Sequence, residues 1–524
     1  MSPRRLLAGA LVVALLAACT GGGSSTSASS SSIQRTGGVL RLGVERVKSF
    51  DPAQVVPTSQ SQLIAADLLF DGLTTVPSGA EKAEPALASE WNASDDQRSW
   101  TFRLRDDARF SNGRTISSAD VKYSLERIAK QYESTVPAIR LEGIAGYQDF
   151  VSGTASAIAG IKADDGGTLQ IDLGAPFAML PELLANPSYG VVPREAVEAT
   201  TPVFGTAPVG SGSFAYSGTD GNVVKLVRAS EGSARLDGVE LHQYDDVSKS
   251  YDDFVADKLD WSLVPNAKAD DAASRFGTES FRPFQAELFY AFNLLDPTFA
   301  DVRFRQAIIK AVDRSALVKA VYPGIADSLN GIVAAGIPGH VADPCGATCA
   351  FDPAAARDLV GQVFPGGSVP TVNIDYFEGQ EEAAVAGVLE TSLTSVGIPV
   401  AKRPKPADQY DQFIVTGQAQ LFRLGAIGIY PDADAYLSPF IKGSRDNAIG
   451  FASDSFDGLV QQIRQTADPA ARIKLEQQAE QLLMSLAPIV PIAQFRTKAV
   501  VSKRVHDLVL SVGGTFSAPT VWVD

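Results

Sequence analysis

The sequence predicts an α/β protein built from at least two lobes. Short runs with period-two alternation, such as Leu40, Leu42 and Val44, are interleaved with longer stretches whose apolar residues recur at helical spacing. Strands alternating with helices of that length stack as α/β layers. The chain has 524 residues, and roughly 490 of them follow a low-complexity N-terminal stretch, more than one hydrophobic core organises. No internal repeat divides it. The formal charge is −15 with 45% hydrophobic residues. Such an acidic body argues against nucleic acid and against a basic membrane-docking face.

The N-terminus sets the location. Met1 to Arg5 is a short cationic start, followed by an apolar run from Leu6 to Leu16. That run is shorter than the ~20 residues a spanning helix needs, and has the size of a signal-peptide core. Cys19 directly after Leu16-Ala17-Ala18 resembles a lipobox, the acylation and cleavage site of bacterial lipoproteins. Residues 1–18 are thus expected to be a lipoprotein signal peptide and Cys19 a lipidated first residue. Residues 19–36, rich in Gly and Ser, read as a flexible linker that holds a soluble body at the outer face of the cell membrane. No second apolar run approaches membrane length.

Along the body, Val39 to Val44 alternates as a strand, and Ile64 to Leu73 reads as a helix. Ser99 to Arg105 alternates again through Trp100, Phe102 and Leu104, and Asn112-Gly113 marks a turn. Ser117 and Asp120 stand at the reciprocal positions of a helix cap, ahead of a stripe of Val121, Leu125 and Ile128. Asp301 caps a helix, and Ser315 to Val321 continues before Pro323-Gly324. Asp352-Pro353 and Asp468-Pro469 are N-caps followed by proline, which needs no amide hydrogen at the first helical position. Behind Asp468 the predicted apolar stripe is Leu475, Ala479, Leu482/Leu483 and Leu486. Val372, Ile374 and Tyr376 alternate, and the helix from Glu381 to Val396 stops at Gly397. Besides Cys19 the cysteines are Cys345 and Cys349, a close pair around a Gly-containing loop, expected to form a local disulfide in an exported chain. A metal site there would need more ligands, and only His242, His340 and His506 are available.

Several of these segments together resemble a known family. Pro85-Ala86-Leu87-Ala88-Ser89-Glu90-Trp91, Trp100-Thr101-Phe102-Arg103-Leu104-Arg105, Phe110-Ser111-Asn112-Gly113 and Ala119-Asp120-Val121 follow in the order seen in peptide/nickel-type (family 5) solute-binding proteins of ABC importers. Ser49-Phe50-Asp51-Pro52 stands where that family has L-D-P. Pro208-Val209-Gly210-Ser211-Gly212-Ser213-Phe214 matches its P-x-G-x-G-P-F turn, with Ser213 replacing proline. Phe292-Asn293 and the block from Phe299 through Arg314 match later landmarks.

The resemblance implies a two-lobed, periplasmic-binding-protein-like (class II) clam-shell with an extra subdomain in the first lobe. Lobe I is expected at 37–73, 194–283 and 495–524, the inserted subdomain at 74–193 and lobe II at 284–494. The crossings near Glu287–Asn293 and Pro491–Phe495 are the expected hinge. Function follows: a receptor, not an enzyme, that closes on a short peptide and delivers it to ABC permease subunits with their ATPase. It is expected to act as a monomer without cofactor. The alternatives are another small solute such as a nickel chelate, or a peptide-sensing lipoprotein not committed to uptake.

The family's peptide binders carry a W-x-x-D-Y-x-x-P segment whose aspartate meets the peptide amine. Aligned on Tyr430, the tryptophan becomes Ala426 and the aspartate Ile429, leaving Asp432 three positions on. Three readings stay open: Asp432 substitutes as amine ligand, the ligand lacks a free amine, or another acid approaches; helix capping is the alternative role of Asp432, and Arg423 is the candidate for a carboxylate. Tyr430, Tyr436, Phe451 and Phe292 are candidate cleft aromatics, Asn293 accompanies Phe292, and Trp261 is a candidate lining residue. Ser49 and Asp51 open a loop at the carboxyl end of a strand, where α/β folds place ligands. The chain has no G-x-S-x-G elbow, no H-E-x-x-H and no G-x-x-x-x-G-K loop.

Overall fold

The structure, a computed structural model, describes residues 35–80, 82–131, 140–200 and 203–524. Cys19 and nearly all of the expected linker lie outside these residues. Residues 35–524 form one compact unit. No helix among the described residues is long and apolar enough to cross a membrane.

An eleven-stranded mixed sheet organises the body. Its order is Val400–Lys405, Val372–Phe377, Leu421–Ile427, Phe281–Phe292, Ile489–Val501, Trp261–Leu263, Val39–Glu45, Gly238–Tyr244, Val223–Arg228 and Phe214–Asp220, with Ala326–Ser328 added beside Ile489–Val501. The two longest strands stand at the centre. Phe281–Phe292 and Ile489–Val501 run antiparallel, and their register slips between Pro283 and Glu287 and again between Leu288 and Phe289. Bulges of this kind bend and twist a ladder. On one side of the pair lie strands from the early part of the chain and on the other strands from the later part, so both strands pass from one half to the other. A separate four-stranded sheet, Ala88–Ala93, Ser99–Leu104, Thr168–Asp172 and Ile161–Ala163, belongs to the segment between.

Local chemistry explains most element ends. The Asp352 and Asp468 carboxylates accept from the Ala354/Ala355 and Ala471 amides, and Pro353 and Pro469 open their helices. Asp120 accepts from the Ser117 amide at 2.9 Å, the back half of the cap read in the sequence. The first helix departs from expectation: it spans Gln60–Leu69, not Ile64 to Leu73. Ser59 caps it, and Phe70 is already extended. The Pro208–Phe214 turn stops it there, because the Gly212 amide donates to Leu69 O at 2.9 Å. A Cβ at Gly210 would lie 2.0 Å from Leu69 O, and one at Gly212 2.6 Å from Phe70 N. Two glycines are what let the turn come that close.

The helix Pro469–Ser485 also corrects the prediction. Its fully buried face is Arg472, Glu476, Ala479, Glu480, Leu483 and Met484, while Leu475, Leu482 and Leu486 are only partly covered. The apolar stripe is displaced by charged residues that have partners inside. Cys345 and Cys349 form the expected disulfide.

Two main cores result. Leu40, Leu42, Phe70, Phe214, Val239, Leu241 and Trp261 pack together in the first half. The apolar side chains of the inserted segment are instead continuous with those of the second half. Ring contact between Phe177 and Tyr430, centroids 5.8 Å apart and edge-on, joins them.

Candidate ligand-binding cleft

A cavity of about 260 Å³ opens where the two halves meet the central strands. The first helix supplies Leu63 and Asp67, one turn apart on the same face. Arg282, Pro283 and Gln285 line it from the bulged part of Phe281–Phe292, and Ile429, Tyr430 and Pro431 from the loop after Leu421–Ile427. Thr75 to Ala80, Asn186 and the Leu510–Ser517 loop complete the wall. Backbone bonds hold these pieces in register. The Gln285 amide donates to Val512 O at 3.1 Å, and Gln285 O accepts from the Gly428 amide at 3.1 Å. Asn186 Nδ2 donates to Ile429 O at 2.7 Å, linking the inserted segment to the second half at the rim. Gly428 is required, since a Cβ would meet Tyr436 Oη at 2.7 Å.

Charge on the wall is sparse. Asp67 is half-buried, and its carboxylate makes no hydrogen bond or ion pair among the described residues. Burial and the like charge of Asp71 push it up to about 7. Glu182 is buried, with Oε1 accepting from the Ala83 amide at 3.3 Å, and burial raises it too. Arg282 is the cavity's one basic side chain among the described residues; it is exposed, with no carboxylate in salt-bridge range. The wall thus carries acids and a base on different lining elements.

Beyond Tyr430 the loop turns inward. Asp432, 3% exposed, takes its cation from within: Arg472 Nε lies 3.1 Å from Asp432 Oδ2. Asp432 also accepts from the Asp434 amide at 2.9 Å, although the cap position of the helix Asp434–Leu437 is Ala433. Glu476 stands 3.4 Å from the same guanidinium, and burial beside Asp432 holds it protonated well above the usual range. Asp434, fully buried, pairs with Arg464 at 2.9 Å and accepts from Tyr430 Oη at 2.7 Å. Tyr430 thus faces the cavity with its ring while its hydroxyl is tied down.

The other predicted residues lie elsewhere. Arg423 stacks over Phe377 at 4.8 Å, away from the cavity. Phe292 is fully buried against Phe299, and Asn293 Nδ2 donates to Gly417 O and Ala419 O, closing a strand end. Asp51 forms a buried ion pair with Arg127 and caps Pro52–Gln54; Ser49 Oγ accepts from the Asp51 amide. Phe451 packs between Phe440 and Phe456. Trp261 is fully buried in the first core. Tyr436 is buried too, its hydroxyl donating to Gln285 O at 3.3 Å behind the wall. Only Tyr430 of the ten lines this cavity. Sequence reasoning missed Asp67, Arg282 and Gln285. A lone acid in the apolar run Leu63–Leu69 was the available signal for the first, because an unpaired carboxylate there is costly.

Comparisons with known proteins identify the family and the fold. The family model described as bacterial extracellular solute-binding proteins, family 5 Middle, matches residues 82–448. The chain is 25% identical over 463 residues to the dipeptide-binding protein DppE of Bacillus subtilis, covering 84% of each chain. It is 24% identical over 493 residues to di/tripeptide-binding protein 1 of Pseudomonas aeruginosa, covering 89% of this chain and 90% of the relative. Among solved structures, the unliganded open form of the murein tripeptide-binding protein MppA superposes with a TM-score of 0.81 at 21% identity, over 93% of this chain and 97% of that one. The fold is thus the two-lobed, periplasmic-binding-protein-like clam-shell with its extra subdomain. Among the described residues, no group of His, Cys, Asp and Glu is arranged to hold a metal ion. The chain belongs to the bacterial extracellular solute-binding proteins of family 5, which are receptors and not enzymes.

Proposed function

We propose that this protein is a lipid-anchored, extracytoplasmic receptor that encloses a short peptide between its lobes and presents it to an ABC permease. The observation that carries the reading is the cavity at the junction of both halves, walled in part by a strand that passes through each. A solute seated there touches both halves only when they close, and so shifts the population toward the closed form. The bulged ladder of Phe281–Phe292 with Ile489–Val501 is the hinge in this reading, with lobe I at 37–73, 194–283 and 495–524, the inserted subdomain at 74–193 and lobe II at 284–494.

The fold shared with the unliganded open form of MppA supports a two-lobed receptor. The names of DppE and of the di/tripeptide-binding protein support a short peptide as solute. Leu16-Ala17-Ala18-Cys19 supports the lipid anchor.

Mass spectrometry of small molecules released from the purified protein tests the proposal. Peptides of two to a few residues are the expected result. A recurrent non-peptide solute would overturn the peptide assignment and point toward relatives such as the probable deoxycholate-binding protein YgiS of Escherichia coli, 25% identical over 472 residues.

A further inference from the structure

We infer that Asp67, on the first lobe, is the group that recognises a cationic amine on the solute. The inference rests on the reading of this cavity as the solute site.

Three features converge on it. Asp67 lines the cavity and has no side-chain partner among the described residues, although it lies in a helix whose other side chains, Gln62 apart, are buried. Its rivals are engaged at least in part. Asp432 and Asp434 are neutralised by Arg472 and Arg464, while Glu182, 7% exposed, accepts from the Ala83 amide on Oε1 and keeps only Oε2 without a partner among the described residues, in the field of Arg472. The positions of the loop after Leu421–Ile427 that line the cavity, Ile429, Tyr430 and Pro431, offer no carboxylate. A solute ammonium leaving water for this cavity therefore finds in Asp67 the lining carboxylate with neither oxygen engaged among the described residues. An ammonium enclosed without a counter-charge loses several kcal/mol of hydration. The carboxylate gains equally, since Asp71 is a like charge and burial already disfavours its ionised form. Arg282, on a different lining element, has no carboxylate in salt-bridge range among the described residues and is free to take one from the solute, so the favoured solute is a zwitterion with its amine at Asp67.

Titration calorimetry with trialanine and N-acetyl-trialanine, on wild type and Asp67→Asn, tests this. The two peptides differ in the amine charge. Wild type is expected to bind trialanine at least tenfold more tightly than the acetylated peptide. Asp67→Asn is expected to lose at least tenfold for trialanine and little for N-acetyl-trialanine, with an unchanged melting temperature. Equal wild-type affinity for both peptides, a measurement that needs no variant, overturns the role of Asp67 while leaving the peptide-receptor reading intact. So does an Asp67→Asn protein that binds trialanine as wild type does. Binding of neither peptide by wild type overturns the amine site together with the short-peptide reading.

Discussion

Replacing Arg472 with methionine tests how the loop after Tyr430 is held. The guanidinium is 4% exposed, 3.1 Å from Asp432 and 3.4 Å from Glu476, and Glu182 lies within its field. Arg472→Met keeps the aliphatic stem and leaves three buried acids with no cation among them. Removing one partner of a buried pair costs about 3–5 kcal/mol. For ~490 folded residues the unfolding entropy is roughly 1 kcal/mol per degree, so melting should fall by about 3–5 °C.

The loss should depend on pH. Without Arg472 the folded protein takes up about one extra proton that the unfolded chain, with ordinary carboxylates, does not hold. The penalty then shrinks by about 1.4 kcal/mol for each pH unit lowered. Differential scanning fluorimetry at pH 8 and pH 5 is the assay: a deficit of several degrees at pH 8 should almost vanish at pH 5. An equal deficit at both pH values, or none, would refute the ion cluster.

The remaining predictions probe neighbouring features. Asp432→Asn should destabilise by about 1–3 kcal/mol while changing trialanine affinity less than twofold by calorimetry; a tenfold loss of affinity at unchanged melting temperature would return Asp432 to the solute. Glu480 Oε1 accepts from the Ile332 and Val333 amides at 2.8 and 2.9 Å, and burial pushes the acid up to about 7. The proton it keeps in the folded state favours folding below its unfolded value of 4.5, and that benefit is lost as pH rises through about 7. Glu480→Gln, which keeps the carbonyl acceptor, should gain roughly 3 kcal/mol on wild type between pH 4.5 and 8 in urea melts. Reduction of Cys345–Cys349, a short loop, should cost about 2 kcal/mol, measured as a drop in melting temperature under reductant.

What the sequence made legible was local. Asp301, Asp352 and Asp468 cap helices with their own neighbours, so a few residues decide the outcome. Gly210 and Gly212 were visible as a motif, but their reason, contact with the end of a helix some 140 residues earlier, was not. The pairing of Phe281–Phe292 with Ile489–Val501 is more remote still in the chain; the family resemblance implied two crossings there but not that the two segments pair. At the site, Tyr430 was reached through its motif. Asp432 was misjudged because its cation, Arg472, arrives from a helix forty residues on, whose charged face reads as solvent-exposed. Asp67 was passed over, since the wall it shares with Arg282 and Tyr430 is built from segments remote in the chain.

Small-angle scattering of the purified protein, with and without saturating trialanine, tests the central claim most directly. Closure around a bound solute predicts a smaller radius of gyration in the complex. An unchanged scattering curve from a sample that calorimetry shows to be saturated would contradict it.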